Sequence, residues 1–199
     1  MKLFWCPQTR SQRALWLMEE AGIDYDRVLI NIRDSSAPRD PEFAEASPMG
    51  KVPAIADGEA KIADSSAIAM YVADKYPEAG LAPALDDPAR AAYYWWMVFT
   101  PGVIEPAMAE KFSGAEPNRL RNAWGSFDSM IETFEKGVGD GPWILGDKFS
   151  AADILCGSSA CFLKQFDMLP ASKPLEAYAE RCMARPAYQR AAEMSAAAP

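Results

Sequence analysis

Residues ahead of Pro88 alternate between strand and helix signals, whereas those after it carry helix signals almost alone. That change of pattern limits the chain to an α/β unit followed by an all-α one. Lys2–Trp5 is a short apolar run suited to a strand. Ala14, Leu17, Met18 and Ala21 then recur at helical spacing, and Gly22 stands where such a helix would end. Residues 27–31 read as a buried strand, and 33–49 as a charged, Pro-broken loop with one short helix near Pro41–Ala46. Residues 52–56, the turn pair Asp57 and Gly58, and Ala60–Ala63 predict a hairpin. A helix is predicted over 65–76, with Ile68, Tyr71 and Val72 on one face and Pro77 as its stop.

Residues 77–87 carry breakers and little periodicity, which marks a linker between a domain at 1–76 and a helical domain at 88–199. One helix is expected from about Pro88, carrying Tyr93, Tyr94, Trp95, Trp96 and Phe99, with Pro101 as a kink or stop. Pro117 is expected to open a second, whose Trp124, Phe127, Met130, Ile131, Phe134 and Val138 form an apolar stripe. Further helices should follow Ser150, Pro174 and Pro186, and the 195–199 tail should fray.

Composition removes several kinds of chemistry. The 199 residues include no histidine, which excludes Ser-His-Asp or Cys-His catalysis and His-based metal sites. A net charge of -8 argues against a nucleic-acid partner. No apolar stretch reaches the roughly 18 residues that a membrane span needs. The opening residues turn polar too soon for a secretory signal. Cys6, Cys156, Cys161 and Cys182 lack paired C-x-x-C spacing, so no metal cluster is expected, and reduced thiols in a cytoplasm are.

Three motifs remain. Ser150 and Asp153 have the spacing of a capping box, with Phe149 and Ile154 at the flanking staple positions; the pair reads as a helix start, worth about 1 kcal/mol. Val52 and Pro53 place a proline in a strand context, where it belongs at an edge or at a special bond. The residues by themselves favour an ordinary trans proline. Asp64 and Ser65 open a helix; Ser65 reads as a cap. The same geometry also suits an anion at the amides, with an ammonium near Asp64.

In this order, the stretches Lys2–Phe4, 13–25, 47–55, 64–68 and 146–154 together resemble the cytosolic glutathione transferase family over essentially the whole chain. The resemblance implies a thioredoxin-like α/β N-terminal domain followed by an all-helical C-terminal domain, and a homodimer. It implies that Pro53 is cis, with Val52 pairing to the cysteinyl backbone of glutathione, and that Asp64 and Ser65 hold the γ-glutamyl end. Lys51 stands nearest for the glycine carboxylate; Arg33 and Arg39 are outside alternatives that otherwise read as solvated surface charges.

The group that activates the glutathione thiol should lie between Cys6 and Arg13. No tyrosine stands there, and Arg10 occupies the place of the cysteine used by the bacterial cysteine class. Thr9 and Ser11 are level candidates, Arg10 an electrostatic helper and Cys6 a third choice. The aromatic run after Pro88 exceeds what one helix face can bury. In such a family Tyr94, Met97, Met108 and Phe112 become candidates for lining the electrophile pocket. The expected activity is a detoxifying transfer of glutathione to a hydrophobic electrophile, with glutathione as co-substrate and no metal. The alternatives are a glutathione-dependent thiol-disulfide reductase using Cys6, and a non-catalytic ligand-binding module.

Overall fold

The computed structural model describes residues 1–34 and 40–197, and the chain divides into two compact units. The first comprises the residues up to Gly80 together with those from Arg185 onward; the second is Leu81–Ala184.

In the first unit β1 (Lys2–Trp5) leads into α1 (Ser11–Ala21), which Gly22 closes in the left-handed region at φ 63°. β2 (Asp26–Leu29), α2 (Pro41–Ala46), β3 (Ala54–Asp57), β4 (Ala60–Ala63) and α3 (Ser65–Lys75) follow. The sheet order is β2-β1-β3-β4, with β1 parallel to β2 and antiparallel to β3. Asp57 and Gly58 turn the β3–β4 hairpin, in which Ile55 lies opposite Ile62. Strand alternation puts Phe4, Cys6, Ala54 and Ala56 on one face. There they form a buried cluster with Phe43 of α2 and with Val52. Leu3, Trp5 and Ile55 point the other way and are also buried, so the central strands β1 and β3 are covered on both faces. This is the expected thioredoxin-like arrangement. β2, expected to be a buried strand, is instead a mostly exposed edge, with Leu29 44% exposed, because only β1 flanks it.

The second unit is helical. α4 (Ala89–Phe99) continues through a π-helical turn at Thr100–Ile104 into α5 (Glu105–Ser113). Pro101 therefore neither stops the helix nor simply kinks it: the wider turn accommodates its missing N–H. α6 (Phe127–Val138) begins well after Pro117, contrary to expectation, because Ser126 and Ser129 form a capping box there and Gly125 sits at φ 73°. Trp124 thus lies ahead of the helix. α7 (Ala151–Gln165) and α8 (Lys173–Met183) complete the unit. The Ser150–Asp153 box is present at the start of α7. The Asp153 carboxylate is buried and accepts from the amides of Ile144 at 2.7 Å and Ser150 at 2.9 Å, and from the Tyr178 hydroxyl at 2.9 Å. Burial pushes its carboxyl up to about 6, against the pull of those donors.

α9 (Pro186–Ala196) differs from the expected domain pattern, which grouped it with the helices before it. It packs on α1 in the first unit. Arg185 donates from Nη2 to Glu20 at 2.7 Å, Arg190 pairs with Glu19 at 2.7 Å, and Tyr188 meets Trp16 edge-on at 5.0 Å. Helical periodicity identifies such an element without saying which neighbour its apolar face will choose. Ser195, expected to fray, lies within this helix. Among the described residues no helix is long and apolar enough to cross a membrane.

Candidate functional site

Strand register brings the sequence-predicted binding residues of the first unit to one end of its sheet. Trp5 is level with Leu29 where β1 and β2 finish, Phe4 with Ala54 where β3 begins, and Ala54 with Ala63 where β4 ends. Cys6, Val52 and Asp64 each lie one or two residues beyond those positions. The carboxyl end of parallel strands is where open α/β sheets commonly bind ligands. Both α1 and α3 also start there, so two positive helix ends converge on it.

The Val52–Pro53 peptide is cis and lies immediately ahead of β3, not inside a ladder. Ser47, fully buried, fixes the turn leading to it: its hydroxyl accepts from the Lys51 amide at 2.9 Å and donates to the Lys51 carbonyl at 2.7 Å. Gly50 takes φ 63° within this turn, a conformation that suits glycine. The Lys51 side chain is exposed. Asp64 adopts φ 74° and caps α3, accepting from the Ser66 amide at 2.9 Å through one carboxylate oxygen. A carboxylate has a second oxygen, so capping and ammonium binding are compatible. Ser65, half-buried, opens the first turn of α3.

The loop between β1 and α1 is tied together more closely than spacing suggested. Thr9 Oγ1 donates to the Cys6 carbonyl at 2.7 Å, lies 3.0 Å from Ser11 Oγ and accepts from the Ser11 amide at 3.1 Å. Ser11 is fully buried and accepts from the Cys6 amide at 3.3 Å. Arg10 is exposed at the N-cap of α1. Gln8 is left-handed at φ 56°, and its amide reaches Ser195 Oγ of α9 at 3.4 Å. Cys6 is buried, 3% exposed.

Arg33 is exposed, as its reading as a surface charge expected, but it is engaged with the β1–α1 loop. Its Nη1 lies 3.3 Å from Cys6 Sγ, and its Nη2 donates to the Pro7 carbonyl at 3.0 Å. Sequence reasoning passed over this contact, although a cation shortly after the end of a parallel strand was a legible signal. Ser47 was missed too; its place in a Ser-Pro turn four residues before Lys51 was the available cue. Arg39 lies outside the described residues.

Of the residues named for an electrophile pocket, Met97 and Met108 are buried inside the helical unit, whereas Tyr94 and Phe112 are exposed. Phe112 packs edge-on against Phe162 at 6.4 Å and Phe166 at 6.0 Å. Both partners are exposed as well, giving an aromatic surface that spacing along the chain could not assemble.

Comparison with known proteins matches residues 5–75 to the glutathione S-transferase N-terminal domain and residues 105–188 to the glutathione S-transferase C-terminal domain. The chain is 29% identical over 167 residues to disulfide-bond oxidoreductase YfcG of Escherichia coli (strain K12), covering 77% of this chain and 76% of that one. It is 25% identical over 198 residues to a glutathione S-transferase of Hyoscyamus muticus, covering 91% and 92%. A sphingomonad glutathione S-transferase solved in complex with glutathione superimposes with a TM-score of 0.81 at 27% identity, covering 100% of both chains.

Proposed function

The chain belongs to the glutathione S-transferase family, and from that premise we propose that it binds glutathione at the sheet end of its first unit and uses it as the nucleophile in transfer to a hydrophobic electrophile. The Val52 main chain pairs with the cysteinyl residue, Ser65 and the α3 amides hold the γ-glutamyl carboxylate, Asp64 takes the ammonium, and Lys51 takes the glycine carboxylate. The observation that carries this reading is the convergence of the cis Val52–Pro53 segment, the Asp64–Ser65 helix start and the Cys6–Ser11 loop at one end of the sheet.

The chemistry needs a thiolate. A free thiol ionises near ~8.5, so only a few per cent is nucleophilic at neutral pH. A site beside a cation and helix amides lowers that value. The exposed rings of Phe112, Phe162 and Phe166 offer apolar contact for an aromatic substrate on the helical unit. The exposed Tyr94, Trp95 and Val98 on α4 are the surface we assign to a second copy of the chain.

Retention on immobilised glutathione together with turnover of chlorodinitrobenzene tests this reading. Retention with turnover supports it, retention without turnover favours a ligand-binding module, and absence of both overturns it.

The Arg33–Cys6 contact and the similarity to an oxidoreductase favour a second reading, disulfide reduction by Cys6. Under it Cys6→Ser abolishes reductase activity, whereas Thr9→Ala leaves it largely intact. The burial of Cys6 weighs against it.

A further inference from the structure

We propose that Arg33 is the cation that stabilises the reacting thiolate of glutathione, a task the sequence pattern gives to a hydroxyl of the β1–α1 loop. The assignment deepens the glutathione reading above and rests on it.

Each hydroxyl has one proton to donate. The Thr9 proton goes to the Cys6 carbonyl, the shorter of its contacts at 2.7 Å. The 3.0 Å contact from Thr9 Oγ1 to Ser11 Oγ draws on that same proton, so the Thr9 hydroxyl is already shared between two acceptors. The first amides of α1 are engaged in the same way: that of Ser11 on Thr9 Oγ1, that of Gln12 on the Thr9 carbonyl, and that of Arg13 on the Arg10 carbonyl. For Thr9 to turn towards a sulfur, it must abandon the Cys6 carbonyl. Ser11 is fully buried and already tied on both sides of its oxygen.

Arg33 stands differently. It reaches the loop from beyond the end of β2, is exposed, and already has a sulfur as one partner, with Nη1 at 3.3 Å from Cys6 Sγ. Nη2 on the Pro7 carbonyl holds the guanidinium against the segment that precedes α1. A guanidinium has five N–H donors, of which these contacts use two. It is charged at every relevant pH, so it favours a neighbouring thiolate over the thiol without needing a proton of its own. The thiol proton passes to solvent.

The test follows the thiolate absorbance of bound glutathione against pH in wild type, Arg33→Gln, Arg33→Lys and Thr9→Val, with S-methylglutathione affinity measured in parallel. Arg33→Gln should raise the ionisation midpoint by about one pH unit and lower kcat/KM at neutral pH about tenfold. Its affinity for S-methylglutathione, which has no ionisable thiol, should stay within about twofold of wild type. Arg33→Lys should fall between the two, and Thr9→Val should leave the midpoint in place. A midpoint unmoved in Arg33→Gln, with S-methylglutathione binding weakened, assigns Arg33 to a carboxylate and overturns the proposal. So does a midpoint that moves in Thr9→Val instead. A wild-type chain that takes up no S-methylglutathione overturns the glutathione reading itself.

Discussion

The side-chain oxygens of Thr9 and Ser11 lie 3.0 Å apart and share the Cys6 main chain between them, Thr9 donating to its carbonyl and Ser11 accepting from its amide. They form one hydrogen-bonded unit, not two independent donors. Ser11→Ala leaves the buried Cys6 amide unpaired and should cost about 1–3 kcal/mol. Thr9→Val removes the acceptor of the Ser11 amide and should cost about 1 kcal/mol. In urea unfolding the double variant should lose less than the two single losses added, with a coupling of roughly 1 kcal/mol. Strict additivity would show that the hydroxyls act separately.

Asp153 gives stability a pH dependence of unusual sign. Its carboxyl is held up to about 6 in the folded chain, against 3.8 as its ordinary value. The folded state therefore binds this proton more tightly than the unfolded one between about pH 4 and 6. The group's contribution is full below about pH 4 and lost as pH rises through about 6, a change of ~3 kcal/mol. Subtracting the unfolding curve of Asp153→Asn from that of wild type isolates it. If that variant does not fold, Tyr178→Phe serves: losing the Tyr178 hydroxyl removes a donor to the carboxylate and should extend the window to higher pH. A difference curve that rises with pH would contradict the account.

Gly137 is where α6 meets an indole. A methyl group built there would sit 2.0 Å from Trp96 Cζ2, so the indole has to shift to admit it. Gly137→Ala should destabilise the chain by about 3 kcal/mol, and combining it with Trp96→Leu should recover part of the loss. Equal melting temperatures for Gly137→Ala and wild type would show that the ring moves aside freely.

Glu20 anchors α9, accepting from Trp16 Nε1 at 2.8 Å and from Arg185 Nη2 at 2.7 Å. Glu20→Gln leaves the guanidinium poorly matched and should cost about 2 kcal/mol. Hydrogen exchange should show α9 amides losing protection before those of β1 and β3. Uniform loss across both would mean that the helix is held by other contacts.

The surface we assign to a second copy has Tyr94, Trp95 and Val98 exposed at 43%, 51% and 57%. Exposed apolar side chains grouped in this way mark an interaction face. Sedimentation should give a species of twice 21.8 kDa, and Trp95→Glu should halve it. A wild-type monomer at micromolar concentration would sink the assignment.

Local chemistry made much of the fold legible. The Asp57 and Gly58 turn, the Gly22 stop and the Ser150–Asp153 box each act over a few residues, and each appears where its residue types place it. The start of α6 was misplaced because Pro117 is a generic helix opener, while the pair that governs the start, Ser126 and Ser129, gave a weaker signal than a Ser with Glu or Gln would. The partner of α9 was hidden because periodicity describes a helix face and not its neighbour. Of the residues we propose for the site, Val52, Pro53, Asp64 and Ser65 were singled out through the family resemblance, their own chemistry favouring a trans proline and a helix cap. Arg33 and Ser47 act through contacts across 27 and 4 positions of chain, and only the folded register brings Arg33 to the loop.

Calorimetric titration with glutathione tests the whole account most directly. Wild type should bind one equivalent per chain with measurable heat at submillimolar concentration, and Ser65→Ala and Asp64→Asn should each weaken binding about tenfold. Absence of heat up to millimolar glutathione, or binding that neither substitution alters, would contradict it.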